Sequence, residues 1–182
     1  KVSFDWWTLV ENKNREIDRL NKAYIRNLEA AGAELILERA TVEDAHTVRL
    51  ASGRKLTARY ILVATGATPF VPRHLPGHEL AITSNEAFNL ESLPSRIVIV
   101  GGGYIAVEFA GIFSGLGVET VLVCRGEQIL RGFDDDLRNH LAAEMKKKGI
   151  ELRTRADVAA IERSGDGVRV SLFGKVWSQI AP

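Results

Sequence analysis

Apolar residues recur at helical spacing almost from the start of the chain. Trp6, Leu9, Val10, Ile17, Leu20, Tyr24 and Leu28 stand mostly three, four or seven apart with charged residues opposite. This predicts one amphipathic helix from residue 6 to about residue 31, and Gly32 stands where a C-terminal cap belongs. The pattern then shortens. Strands are predicted over 34–41, 46–50 and 54–58, the last two joined at Ser52-Gly53, which makes a small antiparallel meander. Residues 60–64 form a compact apolar strand candidate that runs into Thr65-Gly66. Prolines 69, 72 and 76 with Gly77 oppose regular structure, so 69–94 reads as a link.

Beyond the link the period is cleaner. The fully apolar run 97–100 predicts a buried strand, 103–116 a helix, 119–124 a strand, 134–148 a helix and 150–154 a strand. Strand and helix alternate, so the sheet is expected to be parallel and the fold class α/β. Two further runs, 158–162 and 168–172, joined by Ser164-Gly165-Asp166-Gly167, read as an antiparallel piece.

Composition changes little in this picture. With 182 residues, 46% hydrophobic and 26% charged, the chain is globular in composition, and its net charge of +1 suggests neither nucleic acid nor an anionic membrane as a partner. One cysteine excludes an intrachain disulfide framework, and there is neither a signal peptide nor an apolar run long enough to span a bilayer. The expectation is a reducing cytoplasm, with no metal site.

The chemistry gathers in 97–134. Gly101, Gly103 and Ala106 fit G-x-G-x-x-G/A immediately after a strand and at the start of a helix. A pyrophosphate must approach backbone N–H groups at the helix N-terminus, and a side chain at the first two glycines would obstruct it. Where a carboxylate about 20 residues further on would accept from an adenosine ribose 2′-hydroxyl, this chain has Arg125, with Arg131 six residues later. An acid repels a 2′-phosphate and an arginine pairs with it, so the two guanidiniums predict NADP over NAD. The alternative is two solvent-facing loop arginines. Glu127, the nearest acid, lies past the strand end and reads as a loop residue. Tyr104 and Glu108, four apart on one helix face, stand at the end nearest the pyrophosphate; a surface tyrosine and a surface glutamate are the alternatives.

Taken together, FDW at 4–6, RLNKAY at 19–24, ILVATG at 61–66, GGGYIAVEFAG at 101–111 and RGEQILRGFD at 125–134 resemble the glutathione reductases among the FAD-dependent pyridine nucleotide–disulfide oxidoreductases, over about residues 3–172. The resemblance implies a Rossmann-like NADPH-binding domain with a parallel sheet, preceded by part of an FAD-binding domain made of the helix and the meander. It implies NADPH contacts at Gly101, Gly102, Gly103, Tyr104, Ile105 and Glu108, Tyr104 being the aromatic that covers the flavin face. It also implies 2′-phosphate contacts at Arg125 and Arg131, and FAD contacts at Ala40, Thr65 and Gly66. Tyr24 matches a residue that touches glutathione disulfide, the substrate; without the resemblance it reads as one more core residue of the helical stripe.

The domains implied are 1–77 for the partial FAD-binding domain, 78–94 for a linker, 95–172 for the incomplete NADPH-binding domain and 173–182 for a divergent tail. The family's first FAD-binding unit, its Cys-x4-Cys redox pair and its His–Glu acid are expected outside these residues. The chain thus reads as an internal fragment with no catalytic residue of its own; Cys124, at a strand end, does not match the redox pair. The family forms homodimers, and its full reaction carries a hydride from NADPH to FAD and then electrons to a disulfide. A non-catalytic NADP-binding fragment remains open, as does a relative acting on trypanothione, lipoamide or mercuric ion.

Overall fold

The computed structural model describes residues 4–173 and 175–176. Contacts divide the chain into two compact units, Lys1–Thr68 and Pro69–Pro182.

The first unit opens with helix α1, Trp6–Ala30. Asp5 caps it by accepting from the Thr8 N–H at 2.7 Å. Its other end closes with the paired bonds of a Schellman cap, Gly32 N–H to the Glu29 carbonyl and Ala33 N–H to the Leu28 carbonyl, both 3.0 Å. Strands β1 (Ala40–Val42), β2 (Thr47–Leu50) and β3 (Lys55–Thr57) form an antiparallel meander, with Ala40 opposite Leu50 and Val48 opposite Leu56. Two expected strands differ. Of 34–41 only the last two residues are in a strand, and 60–64 has no regular structure. Their apolar residues would suit a pleated sheet, but a strand exists only where a neighbour completes its ladder. Leu37, Tyr60, Leu62 and Val63 are all exposed.

In the second unit, β4 (Arg96–Val100), α3 (Tyr104–Gly115), β5 (Glu119–Val123), α4 (Asp135–Lys147) and β6 (Glu151–Arg153) alternate as expected. The sheet is parallel in the order β4-β5-β6, with Val98 opposite Val121 and Leu122 opposite Leu152. Central β5 is buried on both faces because its side chains alternate between two cores. Leu122 joins Ala110 of α3 with Ala142 and Met145 of α4. Val121 and Val123 pack against Val158 and Ile161 of β7 (Val158–Ser164) and Val170 and Leu172 of β8 (Gly167–Leu172). Strands β7 and β8 pair antiparallel, and β9 (Lys175–Val176) adds a short third strand inside the stretch expected to diverge. Residues 174 and 177–182 of that stretch lie outside the described residues.

The stretch 69–94 is less of a loose link than its prolines suggest. It contains a 3-10 turn, His78–Leu80, and a short helix α2, Ser84–Ala87, closed by a capping box between Thr83 and Glu86. The Pro76 carbonyl accepts from Ile161 N–H at 2.9 Å, and Leu75, Leu80 and Ala81 pack on the β7–β8 core. Phe88, after α2, meets Phe109 of α3 with ring centroids 4.9 Å apart.

Candidate functional site

The site is built where β4 ends. Gly101 has φ 144°, a conformation that L side chains rarely adopt, and its N–H donates to the Val123 carbonyl at 2.8 Å, extending the β4–β5 ladder by one bond. Gly103 is the N-cap of α3 and has no side-chain cap, so the first N–H groups of the helix lack a side-chain acceptor. Those donors at the positive end of a helix are what an anion would meet. A Cβ at Gly103 would have nothing within 4 Å, whereas one at Gly102 would stand 3.1 Å from Cys124 Cβ. Gly103 is therefore open space and Gly102 a packing contact.

The second component is the β5–α4 connection, 124–134. Ile129 is 1% exposed and Leu130 is also buried, both anchored in the α3–α4 core. The Leu130 N–H donates to the Gly102 carbonyl at 2.6 Å. Arg125 and Arg131 are exposed, and each follows directly on a residue that touches Gly102, namely Cys124 and Leu130. The two cations thus emerge beside the glycine turn on either side of a buried plug. Among the described residues neither guanidinium has an acid or carbonyl partner. Glu127 is held by Arg155 at 2.8 Å, and the Arg155 N–H donates to the Gly126 carbonyl at 2.9 Å. That pairing gives the nearest carboxylate a cation other than the two arginines.

Sequence reasoning singled out neither Arg155 nor Arg138. The Arg138 Nε donates to the Ile129 carbonyl at 2.8 Å, and its Nη1 pairs with Asp135 at 2.5 Å. Its one sequence signal is position: it is the fourth residue of α4, near the positive end of the helix, where a cation is disfavoured unless it makes another contact.

Tyr104, Ile105 and Glu108 all lie exposed on the first turns of α3. Cys124 is buried, and burial pushes its thiol above the ordinary range despite a weak bond to the Gly126 carbonyl at 3.6 Å. A thiol held neutral is a poor nucleophile. In the first unit Ala40, Thr65 and Gly66 are exposed, Gly66 with φ 72°. Tyr24 is 63% exposed, so it is not the core residue that the helical stripe alone suggests. No described group of His, Cys, Asp or Glu gathers as a metal site, and no described helix is long and apolar enough to cross a membrane.

This mixed α/β arrangement is the fold of the flavoprotein disulfide reductases. It superposes on the Cu(II) complex of the HOCl-induced flavoprotein disulfide reductase RclA from Escherichia coli with a TM-score of 0.84, at 25% identity, over 98% of this chain and 41% of that one. The chain belongs to the pyridine nucleotide-disulphide oxidoreductase family, whose model matches residues 3–176. It is 48% identical over 171 residues to the glutathione reductase of Burkholderia cepacia, covering 94% of this chain and 38% of that protein. It is 46% identical over 163 residues to the chloroplastic/mitochondrial glutathione reductase of Pisum sativum, covering 90% of this chain and 29% of that one. The chain therefore spans well under half the length of these relatives.

Proposed function

We propose that the chain is the NADPH-binding portion, with part of the FAD-binding portion, of a disulfide reductase that acts on glutathione disulfide. One observation carries the reading: two guanidiniums with no acid or carbonyl partner among the described residues flank a buried plug that is hydrogen-bonded to the glycine turn. The open helix end at Gly103 and these two cations suit a pyrophosphate and a 2′-phosphate respectively. In this reading 95–172 forms the NADPH-binding domain, with contacts from Gly101, Gly102, Gly103, Tyr104, Ile105, Glu108, Arg125 and Arg131. Residues 1–77 contribute to FAD binding through Ala40, Thr65 and Gly66 and to the substrate through Tyr24, 78–94 joins the two, and 173–182 is a tail. The full protein is a cytoplasmic homodimer.

When bound, NADPH would supply a hydride and FAD would carry the electron pair towards a disulfide. What this chain contributes is binding and orientation. The α3 N-terminus would receive the pyrophosphate, Arg125 and Arg131 would fix the adenosine end through charge-assisted bonds, and Tyr104 and Glu108 stand on the first turns of the same helix. Cys124 has no part in thiol exchange, because it is buried and neutral. It is also the only cysteine of the 182 residues, which favours a second reading of the isolated chain as a non-catalytic NADP-binding module. A flavin absorbance band in the purified chain would reject that second reading.

Calorimetric titration with NADP+ and NAD+ tests the first. Arg125→Ala is expected to weaken NADP+ by about 1.5–3 kcal/mol, since a bond to a charged group is lost, and to leave NAD+ nearly unchanged. Equal loss for both nucleotides would mean that Arg125 supports the loop and does not read the phosphate.

A further inference from the structure

The peptide group between Ile129 and Leu130 is held from both sides. Its carbonyl accepts from Arg138 Nε at 2.8 Å, and its N–H donates to the Gly102 carbonyl at 2.6 Å. The residue after it, Leu130, has φ 55°, an unfavourable region for a γ-branched apolar side chain. Such a conformation persists where its surroundings over-determine it. Burial of the Leu130 side chain is one constraint and the clamped peptide is the other. The next residue is Arg131. Arg138 is itself well placed to act as a clamp: its side chain is 18% exposed, and Asp135 fixes its other end. Gln128 adds a local brace, its Oε1 accepting from Ile129 N–H and its Nε2 donating to Asn139 Oδ1, both at 3.0 Å.

We infer that Arg138 is a positioning residue for phosphate selectivity. By clamping the 129–130 peptide it holds Arg131 in the orientation that distinguishes a ribose 2′-phosphate from a 2′-hydroxyl, without touching the nucleotide. The inference rests on the reading that Arg125 and Arg131 recognise that phosphate. Without Arg138 the Ile129 carbonyl loses its partner, and a flip of the peptide would relieve the left-handed Leu130 while turning Arg131 away. The pyrophosphate end, built on Gly101 to Gly103 and the α3 terminus, does not need the clamp.

The test compares NADP+ and NAD+ affinities of the 182-residue chain and its Arg125→Ala, Arg138→Met, Arg138→Lys and Val118→Ala variants. Amide exchange at Leu130 is read in parallel. Methionine keeps much of the aliphatic stem and removes the donors. Lysine restores one donor, and Val118 is a buried core position outside the loop. Arg138→Met is expected to lower the NADP+/NAD+ affinity ratio by about tenfold, to change NAD+ affinity by less than about twofold, and to speed Leu130 exchange. Arg138→Lys should recover part of each effect, and Val118→Ala should lower the melting temperature with the ratio unchanged.

The inference is overturned if Arg138→Met keeps the wild-type ratio, or weakens both nucleotides alike. A fall in the ratio with Leu130 exchange unchanged would show that the charge of Arg138 acts directly, and the clamp would be rejected. Failure of the underlying reading looks different: Arg125→Ala itself would then leave the ratio untouched.

Discussion

Gly103→Ala separates what the glycine turn does for a ligand from what it does for the fold. Gly103 has φ −83° and ψ 175°, within the range of any residue, and a methyl group there meets nothing within 4 Å. Replacing glycine where the backbone already suits alanine restricts the unfolded chain and stabilises by about 0.4–1 kcal/mol. Against that, alanine is a poorer N-cap than glycine, at a cost of about 0.5–1 kcal/mol. The two nearly cancel, so unfolding stability should stay within about 0.5 kcal/mol of wild type. NADP+ affinity should nonetheless fall by at least about tenfold, because the methyl group displaces a pyrophosphate whose bonds to backbone N–H are worth about 1.5–3 kcal/mol each.

Gly102→Ala should instead cost stability. Its Cβ would stand 3.1 Å from Cys124 Cβ, and Cys124 cannot retreat: its N–H bonds the Arg153 carbonyl at 2.8 Å and its carbonyl takes the Ala156 N–H at 3.2 Å. Overpacking of this kind costs about 1–3 kcal/mol. Cys124→Ala would not relieve the clash, because alanine keeps the offending Cβ. Urea unfolding and calorimetric titration of the same preparations provide both readouts. If Gly103→Ala bound NADP+ like wild type, or lost stability in step with affinity, the assignment of open space at the α3 terminus to a pyrophosphate would fail.

Two further outcomes follow from burial. Because the Cys124 thiol titrates above its unfolded value, the stability it contributes is complete below the ordinary thiol pKa and is lost as pH rises above about 8.5. Unfolding free energy should therefore decline there in wild type and decline less in Cys124→Ala; identical alkaline profiles would refute this. Of the buried apolar residues described, only Val10 and Leu50 precede residue 69, so amide exchange should be faster in 4–68 than in 95–162. Slower exchange in the first segment would contradict it.

The second unit was largely legible in the sequence because its signals are local. Strands β4 and β5 of the parallel sheet are each followed by a helix whose small residues, such as Ala110 and Ala142, pack back on the sheet, so period and order together define the layers. Helix α1 was legible for a similar reason, its stripe and its glycine cap lying within one continuous segment. The first unit's remaining strands were not. Residues 34–39 and 60–64 have suitable apolar patterns, but a ladder depends on a partner that no property of the segment itself specifies. The packing of 69–94 was not legible for a related reason: prolines mark where regular structure stops, yet say nothing about packing. Leu75, Leu80 and Ala81 pack on the β7–β8 core all the same.

At the candidate site, the sequence singles out side chains by type and says nothing of their orientation. Arg125 and Arg131 stand out because a cation replaces an acid at a position where the nucleotide's own chemistry demands one or the other. For Arg131 the placement follows from a backbone device, the left-handed Leu130 and a peptide bonded to Gly102 on one side and to Arg138 on the other. Backbone bonds of this sort can be made by any residue, so they leave no compositional trace. Arg138 is the exception, since a cation near the positive end of a helix forfeits about 0.3–1 kcal/mol that an acid there would gain. Its retention at that position needs a compensating contact, and the Ile129 carbonyl and Asp135 supply two. A charge set against its helix dipole beside a ligand loop is thus a sequence-level pointer to a clamp, and here it leads to the peptide on which the orientation of Arg131 depends.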